Sequence, residues 1–182
     1  SFSRIDVMNR PHLLLAHAAL GSASQFDALR KSLCDDFTVH AIDFEGHGEA
    51  GPVERDLSTQ FLADNVLAYL DYNEIESVDV FGHSMGGYVG LQLAAQAPSR
   101  VRAVHTLGTR VYWDPDGASA MCSELNADVI ESKVPAFAKV LAARHALIGW
   151  KTVVARTSDY ISALGANPDI TTALLEALEQ RI

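Results

Sequence analysis

The chain has 182 residues, 48% of them hydrophobic and 20% charged, which suits one cored domain and excludes a disordered segment. Its 23 acidic residues outnumber 14 basic ones for a formal charge of −9, and no Lys/Arg cluster occurs. That balance excludes nucleic acid and anionic membrane surfaces as partners. The two cysteines, Cys34 and Cys122, lie far apart and match no metal spacing, so they read as reduced thiols in a cytoplasmic protein. No signal peptide and no apolar run of bilayer-spanning length is legible.

In chain order, Phe2 to Met8 alternates loosely and predicts an edge strand. His12 to Ala16 is a short apolar run of the kind a buried parallel strand requires. Ser24 stands where an N-cap would open a helix over Gln25–Leu33, with Phe26, Leu29 and Leu33 on one face. Phe37–Ile42 predicts the next strand, and Asp43–Pro52 a loop rich in glycine and charge. Ser58 caps a helix whose Phe61, Leu62, Val66, Tyr69 and Leu70 keep helical spacing. Val78–Phe81 and Val101–Leu107 predict strands on either side of a helix that Pro98 ends. This alternation implies a parallel sheet with right-handed crossovers. From Pro115 onward no strand is expected. Asn126–Ser132, Pro135–His145, Gly149–Leu164 and Ile170–Ile182 read as four helices, which either form a subdomain of their own or cover a sheet face.

The chain is organised around Gly82-His83-Ser84-Met85-Gly86-Gly87, a Gly-x-Ser-x-Gly turn between a strand and a helix. Such a turn strains the serine backbone and pushes Oγ out above the sheet, and the crossing backbones leave no room for a side chain at the flanking glycines. Gly86, Gly87 and Gly90 each cost a helix about 1 kcal/mol relative to alanine, so a helix built only for stability would not carry all three. The Met85 N–H falls at a helix N-terminus, where it can hydrogen-bond a developing oxyanion. Ser84 is the candidate nucleophile.

Three stretches in this order, Leu13–Ser22, Asp43–Gly48 and Gly82–Gly87, resemble the α/β-hydrolase superfamily, of the kind with a helical lid after the sixth strand. The resemblance covers nearly the whole chain. It implies an α/β fold with a mostly parallel sheet and helices on both faces, divided into a core over residues 1–112 and a lid over 113–182. It implies a serine hydrolase that forms an acyl-enzyme on Ser84 with a small ester, thioester or amide as its acyl partner, and needs no cofactor. A similar lidded member, the lyase of menaquinone synthesis, uses the same site for an elimination. In relatives the second oxyanion donor follows a His-Gly pair. His17-Ala18 stands here, so the Ala19 N–H is the matching donor, and Ala18 fits only with a negative φ. Trp113, at the entrance to the lid, is the expected pocket residue.

The remaining polar residues are read as structural. His17 and His47 would fix loops, His83 would point away from the reacting face, and His40 and His105 would sit in strands. His145 lies in the lid. Asp43 follows a strand, but the resemblance places the acid and the catalytic histidine after two later strands that the sequence does not contain. Either they belong to a longer form of the protein, or this is a short form, active with another base or serving as an inactive binding module. No metal-ligand cluster and no phosphate-binding loop is present.

Overall fold

The computed structural model describes residues 10–182; the strand expected over Phe2–Met8 lies outside them. Four strands form one parallel sheet: β1 (His12–Ala16), β2 (Thr38–Ile42), β3 (Val78–His83) and β4 (Val101–Leu107). Their order is β2-β1-β3-β4, with Leu14 opposite both His40 and Val80. The apolar runs of β1 and β3 occupy the two central positions, where both faces of a strand are covered.

One face carries Leu14, Ala16, Val78 and Val80 and packs against α2 (Thr59–Tyr72) and α3 (Met85–Gln96). The other carries Leu13 and Leu15 beneath Phe26, Leu29 and Leu33 of the 3₁₀ turn Ala23–Phe26 and helix α1 (Asp27–Leu33). Helix α2 starts where its sequence says it should, with the Ser58 hydroxyl accepting the Phe61 N–H at 3.1 Å. Ser24 does not play that part for α1. Its hydroxyl pairs with Ser22 at 2.7 Å, and the 3₁₀ turn displaces the helix start to Asp27.

After β4 come α4 (Pro115–Glu124), α5 (Ala127–Lys133), α6 (Pro135–Arg144), α7 (Trp150–Ala166) and α8 (Thr172–Glu176). Helix α4 was not expected. It buries only Ala118 and so lacks an apolar stripe, but it carries an N-cap (the Asp114 carboxylate accepting the Gly117 N–H at 2.7 Å) and Pro115 in its first turn. The helix expected over Ile170–Ile182 shrinks to Thr172–Glu176. Beyond it the Arg181 carbonyl accepts the Val104 N–H at 2.8 Å, a parallel bridge beside β4. A backbone group that can join a sheet edge gains a ladder hydrogen bond, and here that outweighs the helical spacing of Leu174, Leu175 and Leu178. Helices α4 and α7 pack together; Ala118 and Gly165 meet so closely that a Cβ on Gly165 would fall on the Ala118 methyl.

Candidate active site

Ser84 joins the end of β3 to the start of α3 with φ at 52° and ψ at −115°, a conformation L-residues rarely adopt. Sterics hold it there. A Cβ on Gly82 would collide with the backbone of Gly86 and Gly87, and one on Gly86 with the carbonyl of Ala16 at the end of β1. The Ser84 N–H donates to the Leu107 carbonyl at 2.8 Å, and the Thr109 hydroxyl donates to the Ser84 carbonyl at 3.1 Å. Gly108, with φ at 59°, makes the turn that brings Thr109 back. Because Gly86 lies directly on Ala16, the start of α3 is pressed against the turn that leaves β1.

That turn, residues 17–21, is held differently. Its three successive carbonyls each meet a buried histidine. His17 Nδ1–H donates to Ala18 O at 2.8 Å, His47 Nε2–H to Ala19 O at 2.9 Å, and His145 Nε2–H to Leu20 O at 3.2 Å. The opposite nitrogens of His17 and His145 accept the N–H groups of Phe44 at 3.1 Å and Gly48 at 2.9 Å. These roles define a neutral tautomer for His17 and His145, whereas both nitrogens of His47 face carbonyls, Ala19 O and, at 3.4 Å, Glu45 O. Burial lowers the pKa of all three, and their mutual repulsion when charged lowers those of His17 and His47 further; His47 falls to about 4. Arg144 adds a bond to Leu20 O at 2.8 Å. Ala18 has no positive φ, so alanine fits where relatives are expected to carry glycine, and Gly21 N–H closes the turn on Ala18 O at 2.8 Å. The carbonyl and N–H of a trans peptide point oppositely, so holding Ala18 O fixes the direction of the Ala19 N–H.

Ser84, Met85, Ala19 and Trp113 line a single cavity of about 150 Å³. Tyr160, an aromatic of the stretch after β4 that the sequence leaves open between pocket and packing, is a wall too, and sequence reasoning missed the others, among them Tyr88, Arg110, Met121, Leu125 and Ile161. A helix over Gly149–Leu164 was expected, but nothing local says which cavity a helix face covers. Trp113 is 8% exposed, its indole N–H has no partner among the described residues, and the Arg110 guanidinium stacks on its ring at 4.8 Å. Burial pushes the Tyr160 hydroxyl upward in pKa, and that hydroxyl pairs with Thr59 at 2.9 Å.

None of the hydrogen bonds of the seven histidines reaches Ser84. Beyond the three at the turn, His12 pairs with His40 at 2.8 Å, His40 with the Tyr69 hydroxyl at 2.9 Å, and His83 with Gln25 at 3.2 Å, while His105 is exposed on β4. Asp43 accepts the N–H groups of Ala23 at 2.6 Å and Glu49 at 2.8 Å, tying two loops together. His145, in the stretch expected to form a lid, is fully buried against the turn after β1. Among the described residues no cluster of His, Cys, Asp and Glu could hold a metal ion, and no helix is long and apolar enough to cross a membrane.

Comparison with known proteins follows the same geometry. The chain is 43% identical over 72 residues to the dihydrolipoyllysine-residue acetyltransferase component of the acetoin cleaving system of Cupriavidus necator, covering 40% of this chain and 19% of that one. It is 36% identical over 99 residues to the pimeloyl-[acyl-carrier protein] methyl ester esterase of Neisseria meningitidis, covering 54% and 36%. The fold matches the structure of a thermophilic esterase from Thermogutta terrifontis with a TM-score of 0.71 at 21% identity, covering 93% and 68%. The chain spans from 19% to 49% of the length of the curated relatives it matches. The profile of the alpha/beta hydrolase fold matches residues 11–152. The chain belongs to the alpha/beta hydrolase fold family.

Proposed function

We propose that Ser84 is the nucleophile of a serine hydrolase acting on an ester, thioester or amide. One observation carries the reading: a strained serine at a strand–helix turn lines the same cavity as two backbone segments, Met85 and Ala19, whose N–H groups suit an oxyanion. In this reading Oγ attacks the acyl carbon and its proton passes to a base. The oxyanion is held by the Met85 and Ala19 N–H groups, each worth on the order of 10²- to 10³-fold in rate. The bond to the leaving oxygen, sulfur or nitrogen then breaks, the leaving group takes the proton, and water releases the acid from the acyl-enzyme. The base and its orienting acid come from outside these 182 residues in this reading, because no histidine here is hydrogen-bonded to Ser84: six are engaged elsewhere and His105 is exposed on β4. Residues 113–182 act as the lid over a core of residues 1–112, with Trp113 in the substrate pocket. The free thiols of Cys34 and Cys122 support a cytoplasmic setting. The absence of a histidine bond to Ser84 favours one competing reading, an inactive module that binds acyl compounds.

Intact mass after treatment with a fluorophosphonate separates the two. Ser84 Oγ forms a bond to phosphorus, fluoride leaves, and the hydroxyl proton is taken up by added imidazole. The expected result is one phosphonyl adduct per chain, accelerated by imidazole and absent in Ser84→Ala. No adduct at saturating imidazole overturns the hydrolase reading in favour of the binding module.

A further inference from the structure

The cavity at Ser84 holds about 150 Å³, a size that accommodates roughly one benzene ring. A second, larger hollow of about 490 Å³ lies beside it, lined by Leu20, Val129, Ile130, Val134 and Phe137 with Glu124 and Lys133. Two side chains belong to both: Met121 on α4 and Leu125, which caps its C-terminus. Leu20, in the second hollow, is the chain neighbour of Ala19 in the first. The hollows are thus adjacent, and what they share is a flexible thioether and a leucine, side chains that can move aside to join them. Val134 and Phe137 are 50% and 38% exposed, so this apolar surface is not used to hold α5 and α6 together. The two charges along the hollow, Glu124 and Lys133, are of opposite sign and give it no net preference for an ionised ligand.

We infer that the groove between α4, α5 and α6 is the acyl-chain site of this protein, taking the unbranched apolar tail of a substrate whose carbonyl sits at Ser84. The inference rests on the proposed hydrolase site for the position of the carbonyl. The tail is identified by continuity. A chain of more than about six carbons overfills the first cavity, and past Met121 and Leu125 the walls are apolar apart from Glu124 and Lys133. Neither a bulky branched acyl group nor a second charged group suits that passage. The substrate class is therefore a straight-chain acyl ester, thioester or amide of medium length.

The test uses primary alkanamides from butanamide to decanamide, which bind without reacting, titrated calorimetrically into the 182-residue chain. Each methylene that enters an apolar site tightens binding about fourfold. The dissociation constant is expected to fall about that much per carbon from hexanamide to decanamide. In Phe137→Asp and in Val129→Trp, both confined to the second hollow, the gain beyond hexanamide is lost, while butanamide binds as before. A constant that levels off at six carbons in the native chain overturns the inference. So does a chain-length gain unchanged in both variants, which would put the tail elsewhere. If the groove instead seats a second copy of the chain, sedimentation shows a dimer that Phe137→Asp dissolves and the alkanamide series is flat; that result also overturns it. Titrating Ser84→Ala keeps this question apart from the hydrolase reading. Its alkanamide series stays steep whether or not Ser84 reacts with a fluorophosphonate.

Discussion

The turn that carries Ser84 and the turn that carries Ala19 border one cavity, yet different physics holds each in shape. At Ser84 the constraint is steric. Gly82 and Gly86 let β3, α3 and the end of β1 approach until no Cβ would fit between them, and the strained φ of 52° follows from that contact. At Ala19 the constraint is polar. The carbonyls of residues 18, 19 and 20 are each bound by a histidine, and the three histidines come from the end of β1, the loop after β2 and the end of α6. A steric constraint written in neighbouring glycines is local. A polar one assembled from three distant segments exists only once the chain has folded, and it depends on protonation.

The comparison breaks most sharply at Gly86. In Gly86→Ala the new methyl lands on the carbonyl of Ala16, a backbone atom in the central strand that cannot move aside. Overpacking costs about 1–3 kcal/mol where side chains can adjust, and here the cost is expected at or above that upper end. Urea denaturation checks it: the variant should be largely unfolded or lose about 3 kcal/mol or more. An unaffected midpoint would mean that the start of α3 is not pressed against β1.

Acid tests the other turn and leaves the elbow alone, since no titratable side chain holds Ser84 in place. His47 has its pKa lowered from 6.5 to about 4 by burial and by repulsion from His145. The unfolded chain therefore takes up protons between pH 6.5 and 4 that the folded chain refuses. Stability is fully present above pH 6.5 and falls as the pH drops toward 4. His47 alone contributes a loss of about 3 kcal/mol across that window, and burial of His17 and His145 shifts theirs the same way. Urea midpoints measured from pH 7 to pH 4 should decline accordingly, and His47→Gln should flatten the decline. A flat native profile would remove the neutral histidines as the fastening of this turn.

The same contrast explains what the sequence could reveal. The elbow, β1, β3, β4 and α2 were legible because their determinants are adjacent: glycines at fixed offsets, short apolar runs, a serine cap three residues before Phe61. His145 was not, because a histidine at the end of a helix carries no sign of the Leu20 carbonyl it meets from 125 positions away. Helix α4 escaped through its polar surface, although Asp114 and Pro115 formed a usable start signal. The stretch after Ile170 misled in the opposite direction, since leucines at helical spacing pack on the core while the backbone turns to pair with β4. Ser84 and Met85 could be named from the turn after β3 itself, Ala19 from the family resemblance of the turn after β1, and Trp113 from its place between β4 and the helices that follow. The walls of the cavity could not, since α4 and α7 reach it from another layer.

The smallest expected effect falls on Ala18, which stands where the resemblance leads one to expect the glycine of a His-Gly pair. If the histidine contacts alone shape the turn, glycine is not needed there. Ala18 already has a negative φ, and its carbonyl is held by His17 Nδ1–H and Gly21 N–H. Ala18→Gly would relieve no strain and would enlarge the conformational freedom of the unfolded chain, so it should destabilise by about 0.4–1 kcal/mol. The rate of imidazole-assisted fluorophosphonate labelling at Ser84 should stay the same, because the direction of the Ala19 N–H is set by the two bonds to Ala18 O, which the substitution leaves in place. A stabilised variant, or one that labels faster, would show that the alanine strains the turn and that the histidines hold it against that strain.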